Sequence, residues 1–138
     1  MRRRALLLAS AALSAPLMFG AFGARASMPV VLFSKPVTFA DGSAQAVMTG
    51  TIGVHQAHRW IVAGRPGRRV MIGLKAKSAT FDVCYDKRGG SKHSWQKYPG
   101  TSSDLSSWTG VLPESGRIMI EVFGGADRER YELHVKRG

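Results

Sequence analysis

The sequence predicts an all-β fold, an antiparallel sandwich of about eight strands. Three observations predict it. Apolar residues alternate with polar ones at a period of two in several short runs, as they do in strands with one buried and one wet face. Clusters of Gly, Pro, Ser and Asp punctuate the chain about every ten residues, at the spacing of sandwich or barrel turns. No window outside the N-terminus repeats at the helical period.

Residues 1–26 stand apart from this pattern. Arg2, Arg3 and Arg4 precede the apolar, small-residue stretch ALLLASAALSAPLMFGAF, and Ala24-Arg25-Ala26 fits a small-x-small cleavage site. That combination predicts a removable export signal, with cleavage before Ser27. A retained anchor is the alternative. The consecutive arginines also suit twin-arginine export. Removal would leave residues 27–138 as one domain with no transmembrane segment, placed in the periplasm or secreted. Without the arginines at 2, 3, 4 and 25, the chain carries 16 Lys and Arg against 9 Asp and Glu, a net charge of +7. Such a surface favours anionic partners. Export argues against nucleic acid and leaves acidic proteins and cell-wall or surface glycans.

The first run, MPVVLFSKPVTFA, is interrupted by Pro29 and Pro36, which places it on a sheet edge or splits it in two. ADGS at 40–43 is a turn. AQAVMTGTIG at 44–53 is a strand twisted around Gly50, VHQAH at 54–58 a loop or strand end, and RWIVA at 59–63 a strand. GRPGRR is a strong turn. VMIGLKA at 70–76 and TFDVCYD at 80–86 are alternating strands, and WQKYPGTSSDLSSW is irregular and aromatic. The final third, 109–135, reads as a β-hairpin. Ile118, Ile120 and Val122 share one side, Tyr131, Leu133 and Val135 another, and GGADRER forms a charged tip between them. The expected core is Val47, Trp60, Val62, Val70, Ile72, Leu74, Phe81, Val83 and Tyr85 with those six.

Catalysis finds no support in the residues. There is no G-x-S-x-G elbow, and the nine acids are scattered. Cys84 is the sole cysteine, so an intramolecular disulfide is excluded. It reads as a half-buried strand residue, with an intermolecular disulfide as the alternative. His55 and His58 form H-x-x-H, but on a regular strand that spacing points the rings to opposite faces, and no third ligand is near. No metal or cofactor is expected. Trp95, Tyr98 and Trp108 read either as caps on the open core or as a sugar-stacking platform.

The order VTFADGSAQAVMTGTIG, RWIVAGRPGRRVMIGL, TFDVCY, GVLPESGRIMIEVFGG and RYELHV resembles the bacterial pre-peptidase C-terminal type of β-sandwich. More narrowly, it resembles the small exported inhibitors of g-type, and also i-type, lysozyme built on that sandwich. The resemblance spans 37–135. His55 and Ile118 stand where family members often carry Tyr, and the last loop is shorter. The resemblance implies a non-catalytic inhibitor that enters a lysozyme cleft, g-type favoured, with a charged loop. Its positions here would be Asp127, Arg128 and Arg130, with His55, His58 and Arg59 beside them. A guanidinium bonds a carboxylate bidentately, and a lysozyme cleft is lined with carboxylates. A non-catalytic glycan- or envelope-binding module is the other function the sequence leaves open.

Overall fold

The computed structural model describes residues 28–87 and 94–138; the predicted export signal lies outside them, as do positions 88–93 of the polar stretch KRGGSKHS, Lys92 and His93 among them. Nine strands are present: β1 (Val30–Pro36), β2 (Gln45–Ile52), β3 (Gln56–Ala63), β4 (Arg69–Lys75), β5 (Thr80–Asp86), β6 (Trp95–Lys97), β7 (Ser107–Val111), β8 (Arg117–Phe123) and β9 (Glu129–Arg137). They form two sheets, ordered β1-β3-β8-β5-β6 and β2-β9-β4-β7. All pairings are antiparallel except β1 with β3. No helix occurs among the described residues. The all-β sandwich read from the alternation is therefore the fold.

Each sheet turns one side of its strands inward. Trp60 and Val62 of β3, Phe81 and Val83 of β5, and Ile118, Ile120 and Val122 of β8 meet Val70 and Ile72 of β4 and Tyr131, Leu133 and Val135 of β9. Burying one such side chain contributes roughly 1.5–3 kcal/mol. Two expected core members are only partly buried, Leu74 and Tyr85. Val47 is not core at all; it is 55% exposed. The inward set of β2 is Ala46, Met48, Gly50 and Ile52, so Val47 falls on the wet face. Met119 departs the other way. It lies on the outer face of its sheet yet is 3% exposed, with Ile61 and Cys84 as its cross-strand neighbours.

The final hairpin is corrected. β8 pairs with β3 and β5, and β9 pairs with β2 and β4, so the two strands belong to opposite sheets. Segment 124–128 is an arch across the sandwich. Alternation identifies each strand's buried side, but an arch and a hairpin present the same alternation. Glycine is what permits the arch. A Cβ on Gly124 would lie 2.0 Å from the Gly53 carbonyl oxygen, and one on Gly125 2.5 Å from that of Ser78.

Two boundaries also move. β3 begins at Gln56, so His58 is an interior strand residue. The aromatic stretch expected to be irregular contains β6 and the start of β7. β1 is the edge strand that its prolines predict, but it runs parallel to β3 with an irregularity between Val31 and Phe33.

Candidate functional site

Three loops converge at one end of the sandwich: 53–55 after β2, 76–79 after β4 and the arch 124–128 after β8. Their sequence positions are remote, and specific contacts tie them together. The Gln56 side-chain oxygen accepts from the Gly53 N–H at 2.8 Å. The Gln56 carbonyl accepts from the Gly124 N–H at 3.1 Å. The Glu129 carboxylate accepts from the Ser78 N–H at 3.1 Å, from the Ser78 hydroxyl at 2.9 Å and from the Ala79 N–H. Bonds to an ionised acceptor are stronger than neutral ones. Glu129 therefore fixes the 76–79 turn against the start of β9.

This scaffold presents Asp127 and Arg128 at the surface. With Thr51, Gly53 and Gln56 they line a notch of about 260 Å³. His55 is exposed at the neighbouring turn, with φ of 63°, and its carbonyl accepts from the Val30 N–H at 2.8 Å. Arg130 sits one step along β9, opposite Thr51, on the outer face of the second sheet. It is exposed and lines a second hollow with Thr49, Lys75 and Glu132. Among the described residues, the side chains of His55, Asp127, Arg128 and Arg130 form no ion pair or hydrogen bond. They are free to meet a partner.

His58 and Arg59 do not join them. His58 is 3% exposed. Its Nδ1 lies 2.7 Å from the Tyr131 hydroxyl, which also accepts from the Trp60 indole N–H at 3.1 Å. The hydroxyl has one proton to give, and Nδ1 takes it. Neutral imidazole suits that arrangement, with its proton on Nε2. Burial, then the Lys35 charge, lower the His58 pKa. Phe33 of β1 packs on the ring at 4.3 Å between centroids. Gly50 makes room for Tyr131, since a Cβ there would lie 2.7 Å from the phenol ring. Arg59 projects from the outer face of the first sheet, where its Nε donates to Glu121 at 2.7 Å. The H-x-x-H pair thus diverges. Among the described residues no three His, Cys, Asp or Glu side chains converge as a metal site.

The aromatic trio is not a flat platform. Tyr98 and Trp108 meet edge to face, 5.1 Å apart at 71°, and Tyr85 meets Tyr98 at 72°. The Tyr98 hydroxyl donates to the Val111 carbonyl at 2.8 Å, joining β7 of one sheet to the end of β6 of the other. Trp108 packs against the core over Gly110, where a Cβ would lie 2.3 Å from the indole. These two rings close the open side of the sandwich. Trp95 is at the start of β6, partly buried. Cys84 is half-buried, and burial, then Glu121 and Asp82, push its thiol up to about 11. A thiol at that value is not a nucleophile at neutral pH.

The resemblance placed His55, His58 and Arg59 beside Asp127, Arg128 and Arg130; the structure brings His55 to that end and sends His58 into the core and Arg59 to Glu121. Sequence reasoning assigned no role to Gln56 or Glu129 and named Tyr131 only as core. Gly124-Gly125 before the charged run was the one available sign of close packing.

The fold is a two-sheet sandwich with three loops clamped at one end. No protein-family model matches the chain, and no curated protein matches it. Solved structures do. PliG of Aeromonas hydrophila, a periplasmic lysozyme inhibitor of g-type lysozyme, aligns with TM-score 0.63 and 19% identity over 80% of this chain and 99% of its own. Its namesake from Salmonella Typhimurium aligns at 0.55 and 16%, over 77% and 99%. CorA, a surface-associated copper-binding protein of Methylomicrobium album, aligns at 0.54 and 11%, over 79% and 100%. At these identities the likeness is one of fold.

Proposed function

We propose that this protein is an exported, non-catalytic inhibitor of lysozyme, with the g-type enzyme as its favoured target. The observation that carries the proposal is the clamped three-loop end, which holds Arg128, Asp127, Arg130 and His55 outward and unpaired. The fold likeness to proteins described as inhibitors of g-type lysozyme supports the same reading. The guanidinium groups of Arg128 on the arch and Arg130 beside it on β9 complement a carboxylate-lined cleft in charge. Pre-organisation by Glu129 and Gln56 lowers the ordering cost of binding. His58 and Arg59 have no contact role here; one is buried and the other already paired.

The test is capture by immobilised lysozymes of the c, i and g types, with insoluble peptidoglycan in parallel. The proposal expects retention on g-type lysozyme, weakened by salt because oppositely charged surfaces steer the encounter. Retention on peptidoglycan alone contradicts it.

A further inference from the structure

At the opposite end of the sandwich lie the turns 37–44, 64–68 and 112–116 and the end of β9. Arg65, Arg68, Arg69, Lys136 and Arg137 gather there and outnumber the two carboxylates of those turns, Asp41 and Glu114. None of the five pairs with an Asp or Glu side chain among the described residues. Two are used by the fold. Arg137 donates to the Ala63 carbonyl at 2.8 Å and lies 3.9 Å over the Phe39 ring, and Arg68 donates to the Gly138 carbonyl. Arg65, Arg69 and Lys136 are exposed and make no side-chain bond among the described residues.

Charge is half of the pattern. Large apolar side chains stand exposed on the adjoining outer face of the second sheet: Val47 at 55% and, nearest the cations, Met71 at 47% and Val111 at 45%. The register interleaves the latter two with the cations: Val111 lies opposite Arg69, and Met71 opposite Lys136. Beside them Gly73, without a side chain, leaves a hollow of about 300 Å³ shared with Val47, Met71 and His134. A hydrophilic polyanion would use the cations and gain nothing from the apolar residues. A phospholipid surface uses both, with phosphates meeting the cations and the apolar groups entering the headgroup boundary.

We propose that this corner docks on an anionic phospholipid surface, with Arg65, Arg69 and Lys136 meeting the phosphates and Met71 and Val111 entering the headgroup layer. The strands between the two ends span roughly 20 Å. The loop end carrying Arg128 therefore points away from the lipid while the protein is docked.

The test is co-sedimentation of the exported protein with phosphatidylcholine vesicles, with and without phosphatidylglycerol, at low and high salt. Binding is expected only with phosphatidylglycerol, and it falls as salt rises. Each cation near the surface contributes about fivefold, so Arg65→Glu/Arg69→Glu/Lys136→Glu lowers the apparent affinity at least about a hundredfold. If that variant lacks the wild-type circular dichroism spectrum, Arg65→Gln/Lys136→Gln replaces it, with a loss of about 25-fold. Met71→Ser/Val111→Ser weakens binding several-fold. Failure to sediment with phosphatidylglycerol vesicles overturns the proposal, as does undiminished binding by the folded charge variant. Capture by soluble polyphosphate as strong as by vesicles, with no effect of Met71→Ser/Val111→Ser, reassigns the corner to a polyanion and overturns the lipid.

Discussion

The two ends of the sandwich use charge differently. At the end carrying 53–55, 76–79 and 124–128, charges of both signs alternate along Asp127-Arg128-Glu129-Arg130. One of the four, Glu129, is committed to holding a turn. At the other end, Arg65, Arg69 and Lys136 are cationic and bonded to nothing among the described residues. On the proposed reading, a loop that enters a cleft gains from a fixed shape, which glycine contacts and the half-buried Glu129 carboxylate supply. A surface meant to meet a planar array of charges needs density more than shape.

Backbone substitutions separate the ends most sharply. Gly124→Ala drives a Cβ against the Gly53 carbonyl, so the arch must open or the loops must part. A loss of about 3 kcal/mol or more is expected in thermal or urea unfolding. Gly67→Ala, at the cationic end, meets no atom within 4 Å and carries only the strain of its φ of +83°, about 1–2 kcal/mol. Equal losses at the two sites would dissolve the distinction.

Removing the clamp is the next effect in size. Glu129→Gln keeps the side chain's shape but replaces the ionised acceptor of three bonds. A loss of about 1–2 kcal/mol is expected, with faster hydrogen exchange at Ser78 and Ala79. Unchanged exchange there would show that the carboxylate does not hold the turn.

Acid should act through His58. Its pKa is lowered in the folded state, so the unfolded chain binds the proton more readily below about pH 6.5. Stability is then full above that pH and falls as pH drops from about 6.5 through the folded value, where the loss levels off. The melting temperature should trace this, and His58→Gln should flatten the part of the slope nearest pH 6.5. A melting temperature that rises on acidification from pH 7 to 5 would contradict the neutral, Tyr131-bonded imidazole.

The smallest effect belongs to the cationic end. Arg65→Glu and Lys136→Glu should each change stability by no more than about 0.5 kcal/mol, as solvated surface substitutions do.

The sequence made some of this legible. β4, β5, β8 and β9 announce themselves because Val70-Ile72, Phe81-Val83, Ile118-Ile120-Val122 and Tyr131-Leu133-Val135 face one core. Their pairing was not legible, because an arch over Gly124 and a hairpin share one alternation. Val47 was misplaced because three of the four inward residues of β2, Ala46, Met48 and Gly50, are small or flexible, and a valine between them looks more buried than they do. The fate of His58 depends on Tyr131, 73 residues away, and that of Glu129 on Ser78, 51 residues away; no local pattern records either. Arg128 and Arg130 were legible because they are part of a short charged run that leads into β9. Their neighbourhood with His55 followed from the resemblance, not from spacing.

The central claim is that the clamped end is the inhibitory one. The direct measurement is residual g-type lysozyme activity against inhibitor concentration for the wild type, Arg128→Glu/Arg130→Glu and Arg65→Glu/Arg69→Glu/Lys136→Glu, each checked for an unchanged melting temperature. Truncating a desolvated charge pair costs 2–5 kcal/mol, so reversal at the clamped end should shift the inhibition curve by a hundredfold or more, while the other variant inhibits like the wild type. A folded Arg128→Glu/Arg130→Glu protein that inhibits at wild-type concentration contradicts the account.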